Sequence, residues 1–354
     1  MHVFVTGASG FIGRAAVAEL IAAGHQVTGL ARSEASASVI TGLGAAVHHG
    51  DLDDLDQIRQ AAKAADGVIH LANKHDWAHP EISNRAERAA VQTIGDTLAG
   101  SGRPFVLAAG LALPSLGRPL TERDPSPYHG PDTPRGGAEN LALSYADQGV
   151  RVIPVRFAPT VHGEGDRGFI ATLAGAARRR GASVYPGAGD NRWPAVHRSD
   201  AARLVRLALE SAPAGTVLHA AAEPGIPVRQ IAEALASRLG LPARSAPTEQ
   251  IAAEIPFVGR FLAADLWATS QLTQDLLGWR PTGPTLREDI AAGHYDQPEK
   301  RLIDLEQGAP DQALGGSGAP CSTSGSASDS NSDGGRCGTD PTGSPAVGAE
   351  RRWS

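Results

Sequence analysis

The sequence predicts an α/β fold, a doubly wound parallel sheet followed by a smaller C-terminal lobe. Three observations predict it. The chain opens on a short apolar strand, a glycine-rich turn and a helix. Short apolar runs then alternate with helical stretches as far as residue 156, the pattern of parallel strands joined by right-handed crossovers. Beyond residue 156 the alternation becomes irregular, so a second lobe is read there, interleaved with the last strand of the sheet. With 354 residues, 41% of them hydrophobic, the chain has enough apolar material for a sizeable core and such a lobe.

Residues 2–5 read as a buried strand, 6–13 as a glycine-rich turn, and 11–23 as a helix with Ile12, Ala16, Leu20 and Ile21 on one face. Strands follow at 26–30, 45–48, 67–71, 104–109 and 150–156. Helices are read at 55–65, 81–99 and 135–148, the last after a Pro/Gly-rich loop. In the second lobe, helices are expected at 168–180, 199–211, 228–239 and 286–293, and strands at 183–185 and 216–221. The expected division is a sheet domain over 1–165, a lobe over 166–296, and a tail over 297–354. The tail is rich in Gly, Ser, Ala, Asp and Pro, a composition that predicts disorder.

Composition excludes several functions. The net charge of −6 gives no reason to expect nucleic acid or an anionic membrane as partner. No apolar run approaches a bilayer span, and no leader peptide is read. The expected location is therefore the cytoplasm. The two cysteines, Cys321 and Cys337, lie in the tail. The sheet domain and lobe thus lack a disulfide, a thiolate nucleophile and a cysteine metal ligand. No metalloprotease motif, paired-cysteine spacing or nucleophile elbow occurs, and no metal is expected.

The informative stretch is Thr6-Gly7-Ala8-Ser9-Gly10-Phe11-Ile12-Gly13. It follows a strand and opens a helix, the context a dinucleotide-binding turn requires. One glycine makes the tight turn, one lets the backbone approach a pyrophosphate, and one lets the helix pack on the strand. The helix N-terminus then presents N–H groups to the phosphates. Thr6, Gly7, Ser9, Gly10, Phe11, Ile12 and Gly13 are the expected contacts.

Other marks recur along the chain: Gly50-Asp51-Leu52, His70-Leu71-Ala72, Arg156-Phe157-Ala158-Pro159 ahead of Gly163, Val196-His197 ahead of Asp200-Ala201-Ala202, and Leu277-Gly278-Trp279 ahead of Pro281. With these, residues 1–295 resemble the extended short-chain dehydrogenase/reductases, the epimerase/dehydratase superfamily. The resemblance implies a Rossmann-type domain carrying cofactor and a smaller lobe carrying a small-molecule substrate. It also allows a homodimer packed through the helices at 81–99 and 135–148.

After the second strand, where an NAD enzyme usually places a carboxylate on the ribose, this chain has Arg32 and Ser33. A guanidinium accepts a phosphate in a bidentate fork, so NADP(H) is expected over NAD(H). Asp51 and Leu52 are expected at the adenine end. Leu71, Ala72 and Asn73 are expected along the path to the nicotinamide, with His162 near it.

The usual chemistry of this superfamily needs Tyr-x-x-x-Lys, and the chain has none. Its tyrosines are Tyr128, Tyr145, Tyr185 and Tyr295, and its lysines are Lys63, Lys74 and Lys300. By position Arg135 takes the lysine's place and Pro131 the tyrosine's, which resembles an atypical subgroup. Arg135 is expected on the ribose but is too basic to give up a proton. Replacement proton donors are His75, oriented by Asp76, or Tyr128; each otherwise reads as a solvated loop side chain. Trp77, Arg192, Trp193 and His197 are expected to face substrate, with inter-lobe packing the alternative for Trp193. Trp279 reads as core.

The expected activity is hydride transfer between NADPH and the carbonyl or alcohol of a small organic molecule. Two alternatives stand beside it. One is an isomerase, epimerase or dehydratase using bound cofactor without net turnover. The other is a non-catalytic NADP-binding regulator.

Overall fold

The computed structural model describes residues 1–296, apart from Trp77, Ala112, Pro114 and Ser115. The substrate role expected of Trp77, and the tail at 297–354 with its two cysteines, lie outside the described residues.

The main sheet grows from β1 (His2–Thr6), buried on both faces apart from its first residue. Helix α1 (Phe11–Ala22) returns the chain, and β2 (Gln26–Ala31), α2 (Glu34–Gly42) and β3 (Ala46–His49) extend the sheet to one side. Helix α3 (Leu55–Ala64) crosses back to β4 (Gly67–His70) on the other side of β1. Then come α4 (Pro80–Leu98), β5 (Pro104–Gly110), α5 (Ala138–Leu143) and β6 (Arg151–Phe157). The chain continues through β7 (Thr160–His162), α6 (Phe169–Arg180), β8 (Ser183–Pro186), β9 (Arg192–His197) and α7 (Arg198–Ser211). It then returns to the sheet as β10 (Leu218–Ala220). The strand order is β3-β2-β1-β4-β5-β6-β10, parallel throughout. Such a sheet binds ligands outside the carboxyl ends of its strands where the order reverses, here between β1 and β4.

Both faces are covered, as a parallel sheet requires. Val17, Leu20 and Ile40 pack with Leu204, Val205 and Ala208 on the face of α1, α2 and α7. On the other face, Ile58, Ile94 and Leu98 pack with Phe4, Phe105 and Ala142.

The remaining elements are β11 (Glu223–Pro227), α8 (Val228–Leu239), β12 (Ala243–Ala246), α9 (Thr248–Glu254), α10 (Pro256–Leu262), α11 (Gln271–Leu277) and α12 (Leu286–Ala291). Strands β11, β9 and β7 form a small sheet, and β12 pairs with β8. A third core gathers Trp193, Ile231, Leu235, Ile251 and Leu262. Trp279, read as core, is fully buried.

The helix expected at 135–148 is broken. A 3₁₀ turn (Pro134–Gly137), α5 and a second turn (Ala146–Gln148) replace it. The cause is the Gly136-Gly137 pair, both at φ +62°; a Cβ there would lie 2.4 Å from Asn84 O and 2.7 Å from the His129 carbonyl carbon. Helix α2 was not read, nor were β7, β9, β11, β12 and α9–α11; all are short, and periodicity is weak over a few residues. Among the described residues no helix is long and apolar enough to cross a membrane. No group of three or more His, Cys, Asp or Glu among them is disposed to hold a metal ion.

Candidate active site

The glycine turn joins β1 to α1 at the point where the strand order reverses. Gly7 sits at φ +71°, and a Cβ there would lie 2.7 Å from Ala72 N, so the turn runs hard against the loop leaving β4. Gly10 N donates to Gly7 O at 2.9 Å. Gly10 is exposed and caps α1 with no side-chain acceptor, which leaves the first N–H groups of the helix facing outward. A Cβ on Gly13 would lie 2.0 Å from Gly7 O. Close approach of helix to turn therefore demands that glycine. The cradle fits a dinucleotide pyrophosphate, with Gly10, Phe11 and Ile12 presenting backbone and Ser9 beside them.

Thr6 has another job. It is fully buried, its hydroxyl pairs with His70 Nδ1 at 2.8 Å, and it accepts from Ala72 N at 3.3 Å. Thr6 thus ties β1 to the loop after β4 and offers no surface to a ligand. Burial holds the His70 imidazole below its ordinary pKa, the charge of Glu87 opposing that and Arg135 adding to it.

Arg32 and Ser33 are exposed at the end of β2. Ser33 Oγ accepts from Ser36 N at 3.2 Å, so the hydroxyl expected on a phosphate is occupied in capping α2. Asp51 Oδ1 accepts from Asp53 N at 3.1 Å, and Leu52 is buried. Leu52, Asp53, Lys74, Ile82 and Arg85 line a groove of about 290 Å³. It lies beside the loops leaving β3 and β4, where the adenine end was expected.

Beyond β4, Leu71, Ala72 and Asn73 are half-buried. Asn73 Nδ2 donates to Glu87 Oε2 at 3.0 Å, while its Oδ1 accepts from His75 N at 2.9 Å. His75 is exposed and left-handed at φ 52°. Asp76 does not orient it. Asp76 Oδ1 accepts from Ala78 N at 3.1 Å and His79 N at 3.0 Å, and Oδ2 lies 3.3 Å from His79 Nδ1. Asp76 fixes the entry to α4, and those His79 contacts hold its carboxyl below its ordinary pKa.

Arg135 is the second left-handed non-glycine residue among those described, at φ 56°. Its Nη2 donates to Glu87 Oε1 at 2.5 Å. Glu87, fully buried on α4, therefore joins the loop of His75 to the turn of Arg135. Sequence reasoning missed it. The available signal was a carboxylate on the face of α4 that also carries Ala86, Ala90, Val91 and Ile94. Tyr128 is half-buried against Leu111, Leu113, Leu120, Ala221 and Ala268, beyond the ends of β5 and β10. Asn140 Nδ2 holds that segment by the carbonyls of Ser126 at 3.0 Å and Tyr128 at 2.7 Å. A buried pair also went unread: Arg156 Nη2 donates to Glu139 Oε1 at 2.5 Å and locks α5 to β6.

The second lobe corrects three expectations. Trp193 is fully buried with Phe169 and Phe261 at centroid distances of 5.6 and 5.5 Å, so no ring face remains for substrate. Arg192 is committed to Asp265 by bonds of 3.0 and 2.7 Å and lies 3.8 Å over the Trp267 ring. His162 is buried on β7, its Nδ1 2.5 Å from Asp289 Oδ2, with no surface for cofactor. Its burial lowers the imidazole pKa against the raising effect of Asp289. His197 caps α7, accepting from Ser199 N at 3.3 Å, and its ring lies 5.6 Å from that of His162.

Comparison with known proteins agrees with this geometry. The family model described as "NAD dependent epimerase/dehydratase family" matches residues 3–221. Uncharacterized protein C2A9.02 of Schizosaccharomyces pombe is 42% identical over 296 residues, 83% of this chain and 100% of that protein. A 4-hydroxy-2-methyl-3-oxo-4-farnesyl-3,4-dihydroquinoline-1-oxide ketoreductase of Stigmatella aurantiaca is 27% identical over 225 residues, 61% of this chain and 67% of its own. Among solved structures, the dTDP-glucose 4,6-dehydratase DesIV of Streptomyces venezuelae, with NAD bound, superposes with a TM-score of 0.68 at 20% identity. That match covers 83% of this chain and 97% of that one, and shows the shared fold.

Proposed function

The chain belongs to the NAD dependent epimerase/dehydratase family, and from that membership we propose that it is an NADP(H)-dependent oxidoreductase acting on the carbonyl or alcohol of a small organic substrate. The observation that carries the reading is the glycine cradle, whose three glycines each answer a separate steric demand at the reversal of strand order. Arg32, exposed at the end of β2, supports a 2′-phosphate there. The ketoreductase name of the Stigmatella aurantiaca relative supports net redox chemistry.

When bound, the nicotinamide supplies or accepts the hydride; the protein handles the proton and the charge. Arg135, held by Glu87 and partly exposed, supplies fixed positive charge beside the ribose hydroxyls. His75 is the proton donor. An imidazole titrates near neutrality. A left-handed non-glycine backbone costs on the order of 1–3 kcal/mol and persists where neighbours over-determine it. His75 and Arg135 share that strain and are joined through Asn73 and Glu87. Tyr128 is the competing donor, on the wall beyond β5. The protein is expected to work in the cytoplasm, and a homodimer through α4 and α5 is compatible with this reading.

The test is a panel of aldehydes, ketones and alcohols, followed by nicotinamide absorbance with NADPH and with NADH. Oxidation of NADPH by a carbonyl, faster than that of NADH, is the expected result. Product formed at constant absorbance would replace the reading with an isomerase or dehydratase. Tight cofactor binding with no turnover across the panel would replace it with a binding protein.

A further inference from the structure

We infer that Arg14, Arg167 and Arg198 form an arginine clamp that holds the cofactor's pyrophosphate from the side facing the glycine turn, with the loop at 163–168 built to present it. The inference rests on the cofactor reading above and adds residues to it. Three chain segments distant in sequence supply the three guanidinium groups.

Arg14, in the first turns of α1, donates from Nε to Ser9 O at 2.9 Å, so its side chain folds back along the glycine turn. Arg198, the first residue of α7, lies 5.5 Å from the centroid of the Phe11 ring. Its Nη1 donates to Glu164 O at 2.5 Å. The loop and α7 are in close contact: a Cβ on Gly163 would sit 3.0 Å from His197 Nε2 and 3.2 Å from Arg198 Cγ. The loop is fixed on its other side as well. Asp166 is buried, accepting from Gly168 N at 2.6 Å and from the Tyr295 hydroxyl at 3.0 Å. Arg167 lies between those anchored neighbours and is exposed.

These charges repel one another. Burial first, and then the positive charges of Arg167 and Arg198, hold the Arg14 guanidinium below its ordinary pKa. Among the described residues none of the three has a carboxylate partner. By contrast Arg118, Arg135, Arg156, Arg192 and Arg206 are each paired with one. Three like charges gathered beside uncapped helix N–H groups are costly until an anion arrives. A diphosphate supplies two negative charges and several acceptor oxygens, the chemistry that arginine forks match. An anionic group on the substrate has the same chemistry, and the experiment separates the two sources.

Calorimetric titrations of the wild-type chain and of the Arg167→Gln/Arg198→Gln double variant would use NADP⁺, NAD⁺, ADP and adenosine 2′-monophosphate. The expected result is a rise in Kd of about tenfold to a hundredfold for NADP⁺, NAD⁺ and ADP in common proportion, with a shallower salt dependence. Adenosine 2′-monophosphate, which lacks the diphosphate, should bind as before; this also shows that the variant is folded. Unchanged Kd values for all four ligands would overturn the clamp. An unchanged Kd for ADP with a raised KM for an anionic substrate would overturn it too and assign the arginines to substrate. A wild-type chain that binds no dinucleotide would overturn the cofactor reading itself.

Discussion

Glu87 and Arg135 form the ion pair at the centre of the candidate site, Arg135 Nη2 donating to Glu87 Oε1 at 2.5 Å. The carboxylate is fully buried, and its other oxygen accepts from Asn73 Nδ2. Removing one partner of a buried, hydrogen-bonded pair strands the others. Glu87→Ala is therefore expected to lower unfolding free energy by roughly 2–4 kcal/mol. Glu87→Gln, which keeps the shape and one acceptor, should lose less. Denaturant midpoints at constant slope measure both. Equal midpoints for Glu87→Ala and wild type would show that Arg135 and Asn73 find other partners at no cost.

The glycine turn makes a sharper steric prediction. Gly13→Ala places a methyl group 2.0 Å from Gly7 O, where only backbone can move. Helix α1 must then lift away from β1, so both folding and cofactor binding should fail. Gly10→Ala meets Gly7 O at 3.1 Å and points into the exposed cradle. It should leave the melting temperature nearly unchanged while weakening the dinucleotide. If Gly10→Ala melted early and still bound cofactor, the division of roles among the glycines would be reversed.

Arg32 tests cofactor choice. A charge-assisted bond to a phosphate contributes about 1.5–3 kcal/mol. Arg32→Ala should therefore raise the Kd of NADPH about tenfold to a hundredfold and leave that of NADH within about twofold. Fluorescence titration with each cofactor measures this. Equal effects on both would remove the 2′-phosphate assignment.

What the sequence made legible, and what it did not, follows from the range of the forces involved. The turn at 6–13 and the alternating strands depend on local sterics and apolar periodicity, and the observed sheet matches them. Residues paired across long separations were unreadable. Nothing near Glu87 announces Arg135 forty-eight positions on, and nothing in Arg192 announces Asp265. Trp193 and His162 looked like ligand contacts because their types suit ligands. Their burial depends on Phe261 and Asp289, supplied by the far end of the second lobe. The break at Gly136-Gly137 was visible as composition, but its necessity appears only where Asn84 O and His129 crowd the backbone.

The proton donor is separated by two variants in one assay. A positioned general acid contributes about 10²–10⁴-fold. With a substrate found by the panel, His75→Ala should cost kcat a factor in that range while cofactor Kd stays constant. Tyr128→Phe, which keeps the ring against Leu111 and Leu120, should change kcat by less than about threefold. The reverse pattern would move the role to the tyrosine, and two near-neutral variants would leave the proton to solvent.

Asp166 predicts a pH signature that needs no substrate. Burial pushes its carboxyl up to about 6, against the lowering effect of the bonds from Gly168 and Tyr295. An unfolded aspartate titrates near 3.9, so between about pH 4 and pH 6 the folded chain binds more protons than the unfolded one. Stability from this group must then fall as pH rises through that window. Above it the folded state carries a buried charge whose cost is about 3 kcal/mol. Asp166→Asn has no proton to exchange there and keeps an oxygen for Gly168 N. The difference in melting temperature, variant minus wild type, should therefore grow in the variant's favour from pH 4 to pH 7. The nearby His162 and His197 are present in both proteins and neither is perturbed by Asp166, so their contributions largely cancel in the difference. A difference that stays constant across that range would mean that Asp166 ionises normally and that Tyr295 and Gly168 hold a solvated carboxylate. The anchor of the loop carrying Arg167 would then be weaker than its geometry implies.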